Sequence, residues 1–365
     1  MVFDHAVFDG TGGGVILERL AECCQNPNVN LTTVDNSEAE LRSTVCRLGE
    51  ASCATHEFNR LFASREVPTS VDTQLVSGTS LPKITTRAFT FSSDRIQTLK
   101  SACNRLLPSL LYAGAGHPTS LFLPPTFLPK YLSSSDIVTA LVALGINRAR
   151  DCGDRLSNPT KLMIAVNFRE RLRPPLPKDY FGNAVTQIHK QVSSQGPQIE
   201  LEKGFSAGDK FLDRNVARVA CVAQLAAQLR SGLMSIDDSY IRSLVSYISQ
   251  NHGGGGSQVV LTDTIVTSWR HLSVYNLDFG VRLGRIVRFL PPIPSFDGVC
   301  CLLPARSLER LTNSPITNAS KAPWDMQISL ESSAMASFVE DDFTLWACGN
   351  SLESIKDSMG PDIVC

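Results

Sequence analysis

The segment HAVFDG near the amino terminus holds residue types suited to proton transfer: His5 is followed four positions later by Asp9 and then by Gly10. An imidazole titrates near neutrality and can take the proton from a hydroxyl, which is otherwise a poor nucleophile with far too high a pKa. A carboxylate four residues on could orient that imidazole or brace the turn carrying it, and the glycine permits a tight backbone path. The same spacing fits a plainer reading, in which His5 is a satisfied histidine at a strand end and Asp9 caps the following helix.

Two distant segments share this unusual pairing of charged and glycine positions. TIVTSWRHLSVYNLDFGVRLG sets Asp278, Phe279, Gly280 and Gly284 after a strand that ends near Trp269. AVNFRERLRPPLPKDYFGNAV runs from Ala165 to Val185 and joins an arginine-rich stretch to a YFGN turn. The 11 cysteines and 6 histidines show no metal-ligand spacing.

These segments need a scaffold, and the hydrophobic pattern predicts a mixed α/β chain. A strand, a tight turn at Gly12 to Gly14 and a helix with Ile16, Leu20, Cys23 and Cys24 on one face account for the amino-terminal part. Residues 66–83 are rich in Ser, Thr, Pro and Gly and read as a crossover linker between a first unit, 1–65, and a second, 84–365. Beyond the linker the pattern gives a strand at Ile84 to Phe91 and a helix opened by a capping box of Asp94 and Gln97. A second helix is opened by Ser133 and Asp136, and a strand follows at Lys161 to Phe168. Two further helices carry Val222, Leu225 and Leu229, then Ile241, Leu244, Val245 and Ile248. Strands are expected at Val259 to Thr267, Ile286 to Leu290, Val299 to Leu303 and Met326 to Leu330, the last leading into a helix with Met335 and Phe338. The glycine run NHGGGGSQ, Asn251 to Gln258, reads as a flexible surface loop.

Composition narrows the class. The 365 residues are 43% hydrophobic and 19% charged with a formal net charge of -1, so neither disorder nor a global attraction for nucleic acid or anionic membranes is indicated. The odd number of cysteines and their irregular spacing fit reduced thiols in a cytoplasmic protein better than a disulfide framework. No signal-like apolar run and no stretch approaching ~18 apolar residues is present.

Taken together, HAVFDG, RAFTFSSDRIQTLK, LSSSDIVTALVALGINRAR, the arginine-rich PPLP and YFGN block, the TSW strand, DFG and the closing PWDMQISLE resemble the BAHD family of acyl-CoA-dependent acyltransferases, in its fungal branch. The resemblance implies a layered α+β fold with mixed sheets and a two-domain, chloramphenicol-acetyltransferase-like architecture. The family places a block of strands and helices ahead of HxxxD, so an incomplete first domain is expected here. It implies an O-acyltransferase of a small secondary-metabolite alcohol, acting as a cytoplasmic monomer with acyl-CoA as co-substrate and no permanently bound cofactor, metal, nucleic acid or membrane.

By the same resemblance His5 is the general base, Asp9 supports the motif through a charge pair with Gly10 as a structural member of it, and no covalent acyl-enzyme forms. Asp278 completes the candidate set by pairing with Arg169, or failing that Arg171, with Gly280 shaping its turn. Thr267, Ser268 and Trp269 are candidate oxyanion donors, although a packed strand with a buried tryptophan fits them equally. Gly182 and Asn183 border the CoA channel, or simply form a loop turn. The family's DFGWG is altered at Val281 and Arg282. Two rival readings are a silent binding protein that keeps the fold, and a condensation-type enzyme that uses a carrier-bound thioester.

Overall fold

The computed structural model describes residues 5, 7–26, 37–49, 58, 82–113, 127–150, 160–193, 196–197, 205–251, 262–292, 296–306 and 322–349. Its centre is a six-stranded sheet in the order β1-β6-β5-β4-β2-β3, with β1 Ile84–Phe91, β2 Thr160–Asn167, β3 Val185–Val192, β4 Thr264–Ser268, β5 Val299–Leu302 and β6 Trp324–Glu331. The pairs β2·β4 and β4·β5 are parallel, while β1·β6, β5·β6 and β2·β3 are antiparallel. The sheet is therefore mixed, as the interleaving of helix and strand periodicities predicts.

Side-chain alternation divides the sheet into two unlike faces. Phe89 opposite Met326, Cys300 opposite Ile328, Val266 opposite Cys300 and Ile188 opposite Ile164 put apolar groups on one face. Most of them join one continuous core with helices α3 Ser93–Ala113, α4 Ser134–Arg150, α6 Val216–Met234, α8 Ser332–Glu340 and α9 Asp342–Cys348. Helix α4 is buried on every side from Asp136 to Asn147, because it lies between the sheet and its neighbouring helices. The opposite face carries Thr90 across from Asp325, Thr86 across from Ser329, and the row Thr267, Cys301 and Gln327 on β4, β5 and β6.

Local chemistry sets the helix starts. The predicted box at Ser133 and Asp136 is reciprocal: Asp136 accepts from the Ser133 amide at 2.7 Å and Ser133 Oγ accepts from the Asp136 amide at 3.3 Å. At α3 the expected box at Asp94 and Gln97 is replaced by Ser92, whose Oγ and carbonyl receive the amides of Arg95 and Ile96, leaving Asp94 in the first turn. The remaining helices are α1 Gly10–Gln25, α2 Ser37–Arg47, α5 Lys210–Arg214 and α7 Asp238–Asn251.

Three further expectations are corrected. The glycine run at Gly12 to Gly14 lies inside α1 rather than in a turn before it, because Asp9 caps the helix that early. Residues 286–290 form no strand, since only Arg285 bridges, to Asp278. The strand expected from Val259 begins at Thr264 among the described residues. The linker at 66–81 and the glycine run at 252–258 lie outside the described residues.

Candidate active site

Asp9 organises the site. Its carboxylate caps α1 by accepting from the Gly12 amide at 2.9 Å and also accepts from the Ala184 amide at 2.8 Å. The guanidinium of Arg169 grips the same carboxylate with two bonds, at 2.9 Å to Oδ2 and 3.0 Å to Oδ1. Both side chains are almost wholly buried, at 5% and 2% exposure. Arg169 also donates to the carbonyls of Tyr180 at 3.2 Å and Gly182 at 2.6 Å and to Asn167 Oδ1 at 3.3 Å. All five donors of the guanidinium are thus engaged.

This accounting overturns the expected pair between Asp278 and Arg169. No donor of Arg169 is left for a second carboxylate. Arg171 is turned elsewhere, its Nη1 donating to the carbonyls of Leu233 at 2.6 Å, in the last turn of α6, and of Ile236 at 2.9 Å, just beyond it. Asp278 instead accepts from the Gly280 amide at 2.9 Å and lies 3.8 Å from Arg285 Nε, in a pair with about half of each side chain exposed. Its carbonyl accepts from Gln25 Nε2 at 2.8 Å, so it sits at the carboxyl end of α1. A helix of 16 residues spans roughly 24 Å, which separates Asp278 from the His5 end of the motif. Asp278 is a turn residue that anchors the far end of α1.

The segment after β4 runs along α1. A Cβ at Gly10 would collide with the Trp269 indole, one at Gly14 would press on Leu272, and one at Gly280, whose φ is +81°, would press on the Cys24 carbonyl. At Gly12 an added carbon would run into the Phe181 carbonyl oxygen. The glycine-rich start of α1 is therefore a contact surface that lets TSW and YFGN approach the backbone closely. In the sequence it gives only a turn signal, because glycine's lack of a side chain serves turns and close packing alike.

His5 is exposed at a turn, and its carbonyl accepts from Asn183 Nδ2 at 2.9 Å. The YFGN turn thus holds both ends of HxxxDG, with Asn183 on His5 and Gly182 reaching Asp9 through Arg169. Thr267 and Trp269 lie two residues apart across the end of β4, while Ser268, paired with Leu302, belongs to the other face of the sheet. Trp269 is not sealed in the core. It is partly exposed, with its amide bonded to the Leu302 carbonyl at 2.8 Å and its ring 6.1 Å from Phe289.

A polar cluster beside Trp269 escapes the motif-based reading. Thr11 Oγ1 lies 3.0 Å from His271 Nε2 and 3.1 Å from Asn167 Nδ2. Although His271 keeps one side open to solvent, partial desolvation of its ring and then the Arg169 charge press the imidazole below its usual pKa, against the weaker pull of Asp9 and Glu170. The only hint in the sequence is a histidine two places after the tryptophan of TSW. A surface cleft of 360 Å³ lined by Gln97, Thr98, Ser101, Arg105, Ala207 and Gly208 shares no residue with this constellation. Among the described residues no group of three or more His, Cys, Asp or Glu could hold a metal, and no single helix is long and apolar enough to cross a membrane.

Comparison with known proteins places the chain in a family. A family model described as the Transferase family matches residues 1–345. The chain is 34% identical over 357 residues to fumigaclavine B O-acetyltransferase easN of Aspergillus fumigatus, covering 95% of this chain and 69% of that protein. It is 31% identical to O-acetyltransferase anaAT of Neosartorya fischeri, covering 94% and 67%. Among solved structures, TRI101 of F. sporotrichioides complexed with coenzyme A and T-2 superposes with a TM-score of 0.61 at 18% identity, over 92% of this chain and 63% of that one. TRI101 of F. graminearum complexed with coenzyme A and deoxynivalenol gives 0.53 at 17% identity, over 93% and 64%. The chain thus spans about two thirds of the length of the relatives it matches.

Proposed function

The chain belongs to the Transferase family, the BAHD acyltransferases, and from that premise we propose that it moves an acyl group from acyl-CoA to a hydroxyl of a small secondary metabolite, with His5 as general base. The observation that carries this reading is the way Asn183, Asp9 and Arg169 fix both ends of the HxxxDG turn while the His5 side chain stays exposed. A general base needs this combination of a held backbone and an accessible ring. Acetyl is the acyl group named for two of the relatives, which supports it as the donor here.

In the proposed reaction the acceptor hydroxyl attacks the thioester carbonyl as His5 takes its proton. The carbon–oxygen bond forms, and the carbonyl electron pair moves onto oxygen. The Thr267 hydroxyl and the Trp269 indole N–H are the candidate donors to that oxyanion, whereas Ser268 lies on the wrong face of the sheet to join them. Collapse breaks the carbon–sulfur bond and expels the CoA thiolate, a better leaving group than an alkoxide, and the imidazolium returns the proton to sulfur. Each bond change is complete without a covalent acyl-enzyme. Asp9 contributes by holding the turn and does not touch the reacting atoms.

The test is release of free thiol from acetyl-CoA with a panel of polycyclic secondary-metabolite alcohols. Turnover by the unaltered chain and its loss in His5→Ala, at unchanged melting temperature, is the expected result. Equal turnover by the two proteins would remove His5 from the chemistry, and acyl-CoA binding without any turnover would favour a silent binding protein. Turnover that requires a carrier-bound thioester would favour the condensation-type alternative.

A further inference from the structure

We infer that His271 is a positioning residue for the proposed reaction, accepting a hydrogen bond from Thr11 through an unprotonated Nε2 and so, together with Asn167, latching the first turn of α1 to the ends of β4 and β2.

The direction of the Asn167 bond follows from its neighbours. Asn167 Oδ1 accepts from the Arg169 amide at 3.0 Å and from Arg169 Nη1 at 3.3 Å, which settles which end of the Asn167 amide is oxygen. Its Nδ2 can then only donate, and Thr11 Oγ1 accepts at 3.1 Å. The Thr11 hydroxyl has one proton, and the latch assigns it to His271 Nε2, 3.0 Å away, which requires a neutral imidazole carrying its proton on Nδ1. Partial desolvation and then the nearby Arg169 charge favour the same neutral form.

The latch complements the Asp9 cap. Asp9 and Arg169 fix the entry of the chain into α1 and the glycine contacts set its close approach, to which Thr11 adds a polar tie on the same turn. Thr11 lies two residues past Asp9 and joins segments 156 and 260 residues away along the chain. Rotation of this turn moves the backbone that leads to His5, and small misplacements of a base are costly in rate. Because the cluster is open to solvent, each bond is worth only a modest amount.

The role rests on the acyl-transfer reading, and the test separates the two. In the full 365-residue chain, long-range nitrogen–proton NMR of the imidazoles should show His271 protonated at Nδ1 and not at Nε2, and Thr11→Val should abolish that preference. In the thiol-release assay, Thr11→Val and His271→Leu should each lower kcat about five- to tenfold with KM for acetyl-CoA unchanged. The double variant should be no worse than either single one, and His271→Gln, whose amide oxygen can accept from Thr11, should recover most of the loss. An Nε2-protonated His271, additive losses, or no rescue by glutamine would overturn the latch. Absence of turnover in the unaltered chain would sink the functional reading alone, and the NMR result would still decide the latch.

Discussion

Asp9 and Arg169, 160 residues apart in sequence, form a buried two-pronged ion pair in which every donor of the guanidinium is used. Removing one partner strands a charge where water cannot reach it. Asp9→Ala, which also loses the α1 cap, should destabilise the chain by about 3 to 5 kcal/mol, measured by urea unfolding. Arg169→Lys should fall close behind, because a lysine cannot supply the forked geometry. A loss under about 1 kcal/mol for both would show that the pair does not hold the motif.

The glycines of α1 should respond unequally to alanine. Gly12→Ala places a carbon against the Phe181 carbonyl and should cost about 1 to 3 kcal/mol as the YFGN turn is pushed away. Gly13 has nothing within 4 Å of an added carbon, so Gly13→Ala should stabilise by about 0.5 to 1 kcal/mol through helix propensity. Thermal melts of the two single variants decide this, and equal responses would refute the close approach.

Asp278 should prove tolerant. Asn retains the oxygen that accepts from the Gly280 amide and gives up only a solvent-screened pair with Arg285, so Asp278→Asn should cost less than about 1 kcal/mol. Asp278→Ala, which also loses the turn bond, should cost roughly 0.5 to 1.5 kcal/mol more. A chemical role would appear instead as a large fall in kcat for Asp278→Asn at unaltered stability.

Acid should weaken the fold through His189 on β3. Its Nε2 is buried without a partner among the described residues, and burial, then the nearby Lys161, lower the imidazole's pKa. The unfolded chain takes up the proton first as pH falls below the usual histidine value of about 6.5. Stability is therefore whole above that pH and is lost as pH falls toward the lowered value in the folded state. Melting temperature should drop between pH 7 and pH 5, and His189→Phe should flatten part of that slope, His271 supplying another part. An unchanged slope in the variant would contradict this account.

Much of the scaffold was legible in the sequence because its signals are local. Alternation marks Ile84–Phe91, the strand read at Met326 to Leu330 proves to run Trp324–Glu331, and Ser133 with Asp136 opens α4 as a reciprocal box. Residues 286–290 misled for a physical reason: Ile286, Val287 and Phe289 are strand-favouring residues, yet only Arg285 finds a bridging partner. Strand pairing depends on a neighbour that periodicity cannot supply.

The sequence by itself determined the candidate base, the motif carrying it and the family, since residue type and spacing are local and His5, Asp9, YFGN and DFG are all written in the chain. Only the tertiary structure decided which charges meet. Two carboxylates, Asp9 and Asp278, and two arginines, Arg169 and Arg171, allow more than one pairing on paper. Burial and the exhaustion of donors leave a single arrangement, with Arg169 on Asp9 and Asp278 turned to its own loop. The Thr11, Asn167 and His271 cluster was likewise invisible, because its members come together only when α1 lies against the ends of β2 and β4.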